Sequence, residues 1–443
     1  MERIFPLVLF AISLFSTLVA ACGPAEAEDG AETIAVVDAA LPSEAPEQPA
    51  ANEPPAPDLE ILPADPRENA PAQIRGIYLN ASAAGTPDRL RALLDLADRT
   101  EINTFVVDIK TESGIHYRSQ LPLARELTRP AQVTIESLET LVDSLHAHDI
   151  HAIARIVAFR DPVLVASRPA WAIRNPEGGI WVDREGNRWV SAWNPNAWTY
   201  NIDIAEEAAR AGFDEVQFDY VRFPEAYQSL PTQIHPEAPA GEDKTSAIAT
   251  FLKAARDRLH PLDVIVAADV FGMSMNGADD VGIGQQWERL AVVVDHLLPM
   301  VYPSHYFPTH LPNVETPNRM PRRTIEIAVG MGVIRNARIT EAGVTPARII
   351  PWLQAFDAPW VDRDYHYGPD QARAQIEGAY EVGLEDWIFW HPGSRYDAVQ
   401  AAFETDLLPH ARDYQPPPSL IGRMDRYEGW GMRASRERAL QDR

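Results

Sequence analysis

Between residues 74 and 405, two hydrophobic patterns alternate along the chain. Short apolar runs bounded by turn-forming residues predict buried strands, and longer segments with apolar residues three or four positions apart predict amphipathic helices. The predicted strands cover residues 74–80, 104–110, 150–159, 215–222, 264–271, 294–302, 348–356 and 386–390. The predicted helices cover residues 87–99, 135–148, 195–211, 245–259, 285–290, 322–338, 369–382 and 396–405.

Eight strands alternating with eight helices predict an α/β fold, the (β/α)₈ or TIM barrel, which we assign to residues 72–412. The alternative is an open doubly wound sheet, which would place a Gly-rich phosphate turn after an early strand. The stretch NASAAGTP that follows the first strand contains no such turn. In a barrel the active site is built at the carboxyl ends of the strands, so polar residues there are the candidates for chemistry.

The fourth predicted strand carries a carboxylate between apolar neighbours. It lies in the stretch FDEVQFDYVRFP, where Asp219 stands between Phe218 and Tyr220. A buried carboxylate is costly unless it is paired or used. Asp219 is therefore either a structural residue, bonded to backbone amides or to an arginine, or an active-site group. We expect Arg222, the nearest cation in sequence, to hold it ionised.

A second carboxylate, Asp269, lies in the motif AADVFG of the fifth predicted strand. Neighbouring strands are about 4.8 Å apart, so Asp219 and Asp269 are expected near the roughly 5 Å separation of retaining glycosidases. Asp219 would be the nucleophile, and Asp269, kept protonated by burial and by its neighbour's charge, the acid/base. Two alternatives stay open: Asp269 is a structural partner of Lys110 or Arg222, or Asp108 is the second carboxylate.

Tryptophans are concentrated in the loop after the third predicted strand. They are Trp171, Trp181, Trp189, Trp193 and Trp198. Exposed indoles at a barrel mouth form flat platforms for the C–H faces of sugars, whereas buried ones would fill a small core of the loop itself. Residues 181–189 also predict a β-hairpin with its turn at residues 185–187.

Other residues near strand ends are predicted to bind substrate. They are Asp108, Lys110, Arg222, Tyr302, His305, Gln354 and Trp390, with Trp181 and Trp193 from the loop. No metal site is predicted, because His305 and His310 lack an acidic cluster and the HExxH and EF-hand patterns are absent. Gly-x-Ser-x-Gly is also absent, and no organic cofactor is implied.

The amino terminus has the pattern of a targeting signal, which we assign to residues 1–22. An apolar run over residues 5–20 ends in small residues and is followed by Cys22, the only cysteine in the chain. The sequence LVAAC resembles the lipobox of bacterial lipoproteins, which implies an acylated Cys22 and attachment to a bilayer. Gly23 in place of Asp favours the outer membrane of a Gram-negative cell. The alternative is an ordinary signal peptide with a chance cysteine.

The segments that flank the barrel are polar and rich in proline. Residues 23–71 are rich in Ala, Pro and Glu, which predicts a disordered linker. Residues 413–443 begin near three successive prolines and predict a short tail, with Trp430 packed on the barrel. The formal net charge of −25 argues against nucleic acid as a partner.

Seven motifs in this order resemble a known family: RGIYLN, FVVDIKTESG, AIARIVAFRDP, VQFDYVRFPE, ADVFG, LPMVYPSHY and IPWLQAF. The family is the bacterial "putative glycoside hydrolase domain", formerly a domain of unknown function, and it is similar to the barrel hydrolases of the alpha-amylase-like type. The resemblance implies a TIM-barrel glycosidase with the strand-four residue Asp219 as nucleophile. The strand-five acid of alpha-amylase-like enzymes is usually Glu, and this chain has Asp269 there.

Together these patterns predict an envelope lipoprotein that cleaves a glycosidic bond in a polysaccharide, with retention of configuration. Two other classes remain: a carbohydrate-binding lipoprotein without turnover, and an envelope scaffold whose barrel mouth is capped by its own loop. A binding protein needs neither a raised carboxyl pKa nor open space beside Asp219 for an anomeric carbon, and this difference separates the classes.

Overall fold

A computed structural model describes residues 65–404 and 411–441 of the chain. The predicted signal peptide, the candidate acylation site Cys22 and residues 23–64 of the predicted linker lie outside the described residues. The strands are β1 Arg75–Leu79, β2 Thr104–Thr111, β3 Gly114–Ile115, β4 His151–Val157, β5 Glu215–Asp219, β6 Ile265–Phe271, β7 His296–Met300, β8 Arg348–Ile349, β9 Trp352–Gln354 and β10 Trp387–Trp390.

The strands close into a parallel barrel. Apart from the short antiparallel pair β2–β3, neighbouring strands are parallel, and the order β1-β2-β4-β5-β6-β7-β9-β10 returns to β1. Eight strand positions surrounded by helices are the (β/α)₈ barrel, so the predicted fold class is confirmed. Strands that are buried on both faces give continuous apolar runs, which is why the pattern predicted them well.

Helices fill the connections between the strands. They are α1 Ala81–Gly85, α2 Pro87–Ala97, α3 Pro122–Leu127, α4 Leu138–His146, α5 Pro162–Ser167, α6 Pro195–Arg210, α7 Lys244–Leu259, α8 Met273–Asn276, α9 Trp287–Leu290, α10 Pro321–Glu341, α11 Pro369–Glu381, α12 Pro418–Tyr427 and α13 Arg433–Gln441. None of the helices in the described residues is long and apolar enough to cross a membrane.

The seventh predicted strand and the last predicted helix differ from the structure. The seventh strand, predicted as one run, is divided into β8 and β9 at Pro351, which has no N–H to donate to a ladder. The last predicted helix is only a 3₁₀ turn, Gln400–Phe403, in the described residues. The Tyr396 hydroxyl donates to the carbonyl of Tyr78 and accepts its N–H, which ties this segment to β1.

The interior of the barrel changes character from one end to the other. At the amino-terminal end Glu215 is buried between His151 and His296. The middle is apolar and includes Val106, Ile153, Ala267, Leu298 and Ile388. The carboxyl ends of the strands carry the charged and aromatic side chains described below.

The segment before β1 is attached to the amino-terminal end of the barrel. Arg348 donates to the carbonyls of Pro71 and Ala72 at 2.9 and 2.7 Å and pairs with Asp386. Because Arg348 begins β8 and Asp386 directly precedes β10, these contacts lie at the end opposite the carboxyl ends of the strands.

The carboxyl-terminal segment is helical and packs through α12 and α13. Leu420, Met424 and Met432 are buried, and Glu428 pairs with Arg338 and Arg436 at 3.0 and 2.7 Å. Trp430, which we expected to pack on the barrel, is 67% exposed. That expectation is wrong, because the inward positions of these helices are taken by the smaller apolar residues.

Candidate active site

Three carboxylates project into the barrel at the carboxyl ends of β2, β5 and β6. Asp108, Asp219 and Asp269 are only 3%, 6% and 1% exposed. In the register between β5 and β6, Phe218 pairs with Ala268, so that Asp219 and Asp269 follow at the same height on adjacent strands. Sequence patterning thus placed these two carboxylates correctly relative to each other.

Arg155, on β4, lies at the centre of the three carboxylates. Its Nη1 donates a hydrogen bond to Asp108 Oδ1. Its Nη2 and Nε both donate to Asp219 Oδ2, and the Nε bond is 3.1 Å long. The same Nε lies 3.7 Å from Asp269 Oδ2. A planar guanidinium with five N–H donors suits such a shared position. Asp219 Oδ1 also accepts the backbone N–H of Tyr220.

Asp269 is the carboxylate whose surroundings most favour the protonated form. Burial and the charge of Asp219 raise its pKa well above the usual range, although Arg155 and a hydrogen bond of 2.6 Å from Trp352 Nε1 to its Oδ1 act in the opposite direction. A carboxyl group that keeps its proton near neutral pH is equipped to act as a general acid.

Asp108 is also buried and also has a raised pKa. Burial is the main cause, and Arg155 and the Tyr78 hydroxyl, which donates to Asp108 Oδ2, oppose it. Asp108 and Asp219 both accept hydrogen bonds from the one guanidinium of Arg155. Asp108 therefore belongs to the same charged cluster as Asp219, and it lies on the side of that cluster nearest β1 and β2.

The expectation that Arg222 holds Asp219 is wrong. The backbone turns directly after β5, where Tyr220 has φ of 49°, so Arg222 does not continue the strand as predicted. Its guanidinium pairs with Glu225 at 3.1 Å and lies over the rings of Trp189 and Phe271. Arg155, which is distant in sequence but one strand away in the barrel, takes the expected role.

Lys110 also lies away from the cluster. It is fully buried, pairs with Asp161 at 2.9 Å, donates to the carbonyl of Val157 and lies near the ring of Tyr200 on α6. Neither Lys110 nor Arg222 is an ion-pair partner of Asp269 in the described residues, so the structural alternative for Asp269 does not hold in the form proposed.

Aromatic side chains form a wall on the other side of the mouth, after β7, β9 and β10. Tyr302, Phe356 and Trp390 contact one another with ring centroids 5.1 to 5.7 Å apart. Exposed His305 packs against Tyr302, and Trp360, which is 67% exposed, stacks on Phe356 at 6.2 Å. We call these residues the aromatic wall.

Gln354 supports the aromatic wall from beneath. It is buried, its Oε1 accepts the N–H of Ser304 at 3.0 Å, and its Nε2 donates to the carbonyl of Phe356 at 2.9 Å. It therefore joins the loops after β7 and β9 and leaves little of its amide for a ligand. Sequence reasoning missed Phe356 and Trp360, although one aromatic residue at the end of a predicted strand and another four positions later were the available signal.

Most of the loop tryptophans serve the loop itself. Trp181 and Trp189 are each 1% exposed, and their indoles donate to the carbonyl of Pro231 and to Asp183. Trp193 is half-buried against Phe223. The platform expected at Trp181 is therefore wrong, because its faces are covered. The predicted hairpin is confirmed by the antiparallel bridge between residues 182 and 188.

Comparisons with known proteins give one family match, which covers most of the barrel. Residues 76–396 match the family described as "Putative glycosyl hydrolase domain". The comparison with curated proteins gives no match. Among solved structures, a hypothetical protein from Ruminiclostridium thermocellum is 37% identical with a TM-score of 0.40, and covers 44% of this chain and 97% of its own.

Two further structures are of glycoside hydrolases. The glycoside hydrolase domain of PgaB from Bordetella bronchiseptica is 15% identical with a TM-score of 0.51, over 76% of this chain and 99% of that one, which shows a shared fold. An alpha-L-fucosidase from Paenibacillus thiaminolyticus is 15% identical with a TM-score of 0.45, over 81% of this chain and 50% of that one. With the family match spanning most of the barrel, the chain belongs to the family of glycosyl hydrolase domains described above.

Proposed function

We propose that the protein hydrolyses an O-glycosidic bond of a polysaccharide with retention of configuration, using Asp219 as nucleophile and Asp269 as general acid/base. The observation that carries this proposal is the shared neighbour of the two carboxylates. Asp219 Oδ2 and Asp269 Oδ2 lie 3.1 and 3.7 Å from the same Arg155 Nε. The two Oδ2 atoms can therefore be no farther apart than the sum of these two distances. This limit favours the short carboxylate spacing of retaining enzymes over the wider spacing of inverting ones.

The surroundings of the two carboxylates support different roles. Burial and the charge of Asp219 raise the pKa of Asp269, which suits a general acid, whereas Asp219 accepts hydrogen bonds from the Arg155 guanidinium, which suits a nucleophile. In the first step Asp269 gives its proton to the glycosidic oxygen as Asp219 attacks the anomeric carbon, the bond to the leaving sugar breaks and a glycosyl ester forms. In the second step the Asp269 carboxylate takes a proton from water, whose oxygen displaces Asp219 and restores both groups.

The aromatic wall supports a carbohydrate as the substrate. Trp390 is half-buried against Tyr302, and the exposed Trp360 extends the wall outward from Phe356. Aromatic faces pack against the C–H faces of sugar rings, while the carboxylates remain for the reacting bond. A row of rings that continues from the reacting centre to solvent suits a chain of several sugars.

The proposal is tested by reducing-end release from a panel of cell-wall, capsular and storage glycans. The full chain would be compared with Asp219→Asn and with Asp257→Asn, a matched change at an exposed surface pair with Lys253. We expect release by the parent and by Asp257→Asn, and a loss of about a thousandfold or more in Asp219→Asn. NMR of the first product should show the anomer of the substrate.

Equal rates of release in the parent and Asp219→Asn would disprove the nucleophile assignment, and an inverted first product would disprove retention. Rescue by azide decides whether Asp269 or Asp108 is the acid/base. Azide should restore turnover in Asp269→Asn and give a glycosyl azide of retained configuration. Rescue of Asp108→Asn instead would assign the acid/base role to Asp108. Glycan binding without any cleavage by the parent would favour the carbohydrate-binding lipoprotein.

We also propose that Cys22 is acylated and that it anchors the protein in a Gram-negative envelope, at the outer membrane or facing the periplasm. The apolar run followed by LVAAC supports this. Labelling with a palmitate analogue should follow the parent and be lost in Cys22→Ser. Labelling that persists in Cys22→Ser would contradict the proposal.

A further inference from the structure

A cavity lies beside the carboxylate cluster, on the side of β1, β2 and β10. Its volume is about 620 Å³, which falls in the range of small-ligand pockets. Asp108 lines this cavity and also belongs to the carboxylate cluster of the candidate active site. The residues that carry the argument are Ser82, Arg89, Asp108, Thr111, His116 and Arg395.

Two arginines in this cavity have no acidic partner. Within the described residues neither Arg89 nor Arg395 has a carboxylate within ion-pair distance. Arg89 Nη2 donates to the carbonyl of Gly393 at 2.8 Å and Nη1 contacts Ser82 Oγ at 3.4 Å, which fixes the guanidinium against the loop that carries Arg395. Two guanidinium groups without a carboxylate partner in one cavity give it a local excess of positive charge.

Asp108, the acidic residue that lines the cavity, does not neutralise these two arginines. Asp108 gives one oxygen to Arg155 and the other to the Tyr78 hydroxyl, so its charge is already balanced within the carboxylate cluster. His116 is bonded to Thr111 Oγ1 at 2.8 Å through Nε2 and to the carbonyl of Gln132 at 3.2 Å through Nδ1. The uncommitted charge of the cavity is therefore positive.

We propose that this cavity is a sugar subsite that binds the carboxylate of a hexuronic acid unit, with Arg89 and Arg395 as the residues that recognise the charge. This inference rests on the proposed function, because it places the acidic unit next to the bond that Asp219 and Asp269 would cleave. A planar carboxylate matches the forked donors of a guanidinium. Ser82 and Thr111 lie within the same cavity and supply hydroxyl groups for the ring oxygens.

The test uses the full chain with Asp219→Asn as a background that does not turn over its ligand. Alginate and hyaluronan oligosaccharides would be titrated calorimetrically beside their carboxyl-reduced counterparts, which have the same linkages without the charge. Arg395→Gln is the main variant, because Arg395 is exposed and its change should leave the fold intact. Arg91→Gln is the control, since Arg91 lies on the same helix as Arg89 but pairs with Asp88 outside the cavity.

We expect at least one charged oligosaccharide to bind more tightly than its reduced form, and Arg395→Gln to weaken that binding about tenfold. Arg89→Gln should act in the same direction, and Arg91→Gln should change nothing. Equal binding of charged and reduced oligosaccharides, or no effect of Arg395→Gln, would overturn the inference. Binding of sulfated carrageenan oligosaccharides in place of the uronates would overturn the assignment to a carboxylate.

Failure of this inference and failure of the proposed function can be told apart. If the parent cleaves a neutral glycan and charge has no effect on binding, the glycosidase stands and the acidic subsite is disproved. If uronate binding depends on Arg395 while no glycan is cleaved, the subsite is supported and the hydrolytic function is disproved.

Discussion

The indole N–H of Trp352 donates a hydrogen bond of 2.6 Å to Asp269 Oδ1 from two strand positions away in the barrel. This bond favours the ionised form of Asp269 and so acts against burial and Asp219, which raise the pKa of this carboxyl group. It also fixes the direction of the carboxyl plane. The proton affinity of the proposed acid/base is thus adjusted by a neutral donor as well as by charges.

The Trp352→Phe variant should therefore shift the pH dependence of hydrolysis. Loss of the donor raises the pKa of Asp269 further, so the alkaline limb of kcat/KM, where the acid loses its proton, moves to higher pH. Maximal kcat should fall because the carboxyl group is less well oriented. Trp387→Phe is the control, since Trp387 is buried on the next strand but packs outward on Phe403. An unchanged or acid-shifted limb in Trp352→Phe would contradict this account.

Arg155→Gln should destabilise the fold by about 3–5 kcal/mol near neutral pH, because it leaves buried carboxylates without their cation. Chemical unfolding would measure this loss. The difference from the parent should narrow as the pH falls and the carboxyl groups of both proteins become protonated. A difference that is constant between pH 7 and pH 3 would show that Arg155 acts through packing rather than charge.

Trp360→Ala should raise KM for long glycans about five- to tenfold while leaving kcat and the melting temperature unchanged, because an exposed ring contributes stacking and little to the fold. Trp430→Ala is a matched control, since Trp430 is equally exposed at 67% but lies on the carboxyl-terminal helices. Steady-state kinetics with glycans of increasing length would show the effect, and a loss confined to kcat would refute it.

Glu215→Gln should reduce stability at mildly acidic and neutral pH. Burial acts to raise the pKa of Glu215, but His296 and His151 outweigh it and lower this pKa to about 2. The pKa of Glu215 is therefore lower in the folded chain than its unfolded value of about 4.3. The ionised carboxylate then stabilises the fold by roughly 3 kcal/mol above this pH, and the stabilisation is lost as the pH falls towards 2.

Thermal unfolding between pH 2 and 7 would check this prediction. The melting temperatures of Glu215→Gln and the parent should differ at pH 6 and converge near pH 2. Glu341→Gln, a change at an exposed position on α10, should follow the parent throughout. A difference between Glu215→Gln and the parent that grows towards low pH would contradict the sign of the effect.

The strands were predictable because burial on both faces leaves a continuous apolar signal, and the relative heights of Asp219 and Asp269 followed from that signal. The residue that joins them was not assigned, although Arg155 lies within the third predicted strand. Proximity in sequence favoured Arg222, and only the turn at Tyr220 removes that arginine from the strand. Pairing across strands depends on register, which local patterns do not specify.

The loop tryptophans also show that local sequence patterns do not specify tertiary packing. A cluster of indoles predicts either a binding platform or a small core, and residue type does not distinguish the two. The hairpin of residues 181–189 brings Trp181 and Trp189 under their own loop, whereas Trp360, a single ring after a divided strand, remains exposed. Exposure is decided by the tertiary packing of the loop, so the platform could be located only in the folded chain.

The contacts of Arg348 with Pro71 and Ala72 have a practical consequence for how the protein is handled. Residues 71–72 lie at the end of the barrel opposite the carboxylate cluster, so a support coupled at this end would leave the mouth directed towards the solution. Immobilised in this orientation, the protein should accept long polymers that would be hindered on a surface coupled near the mouth.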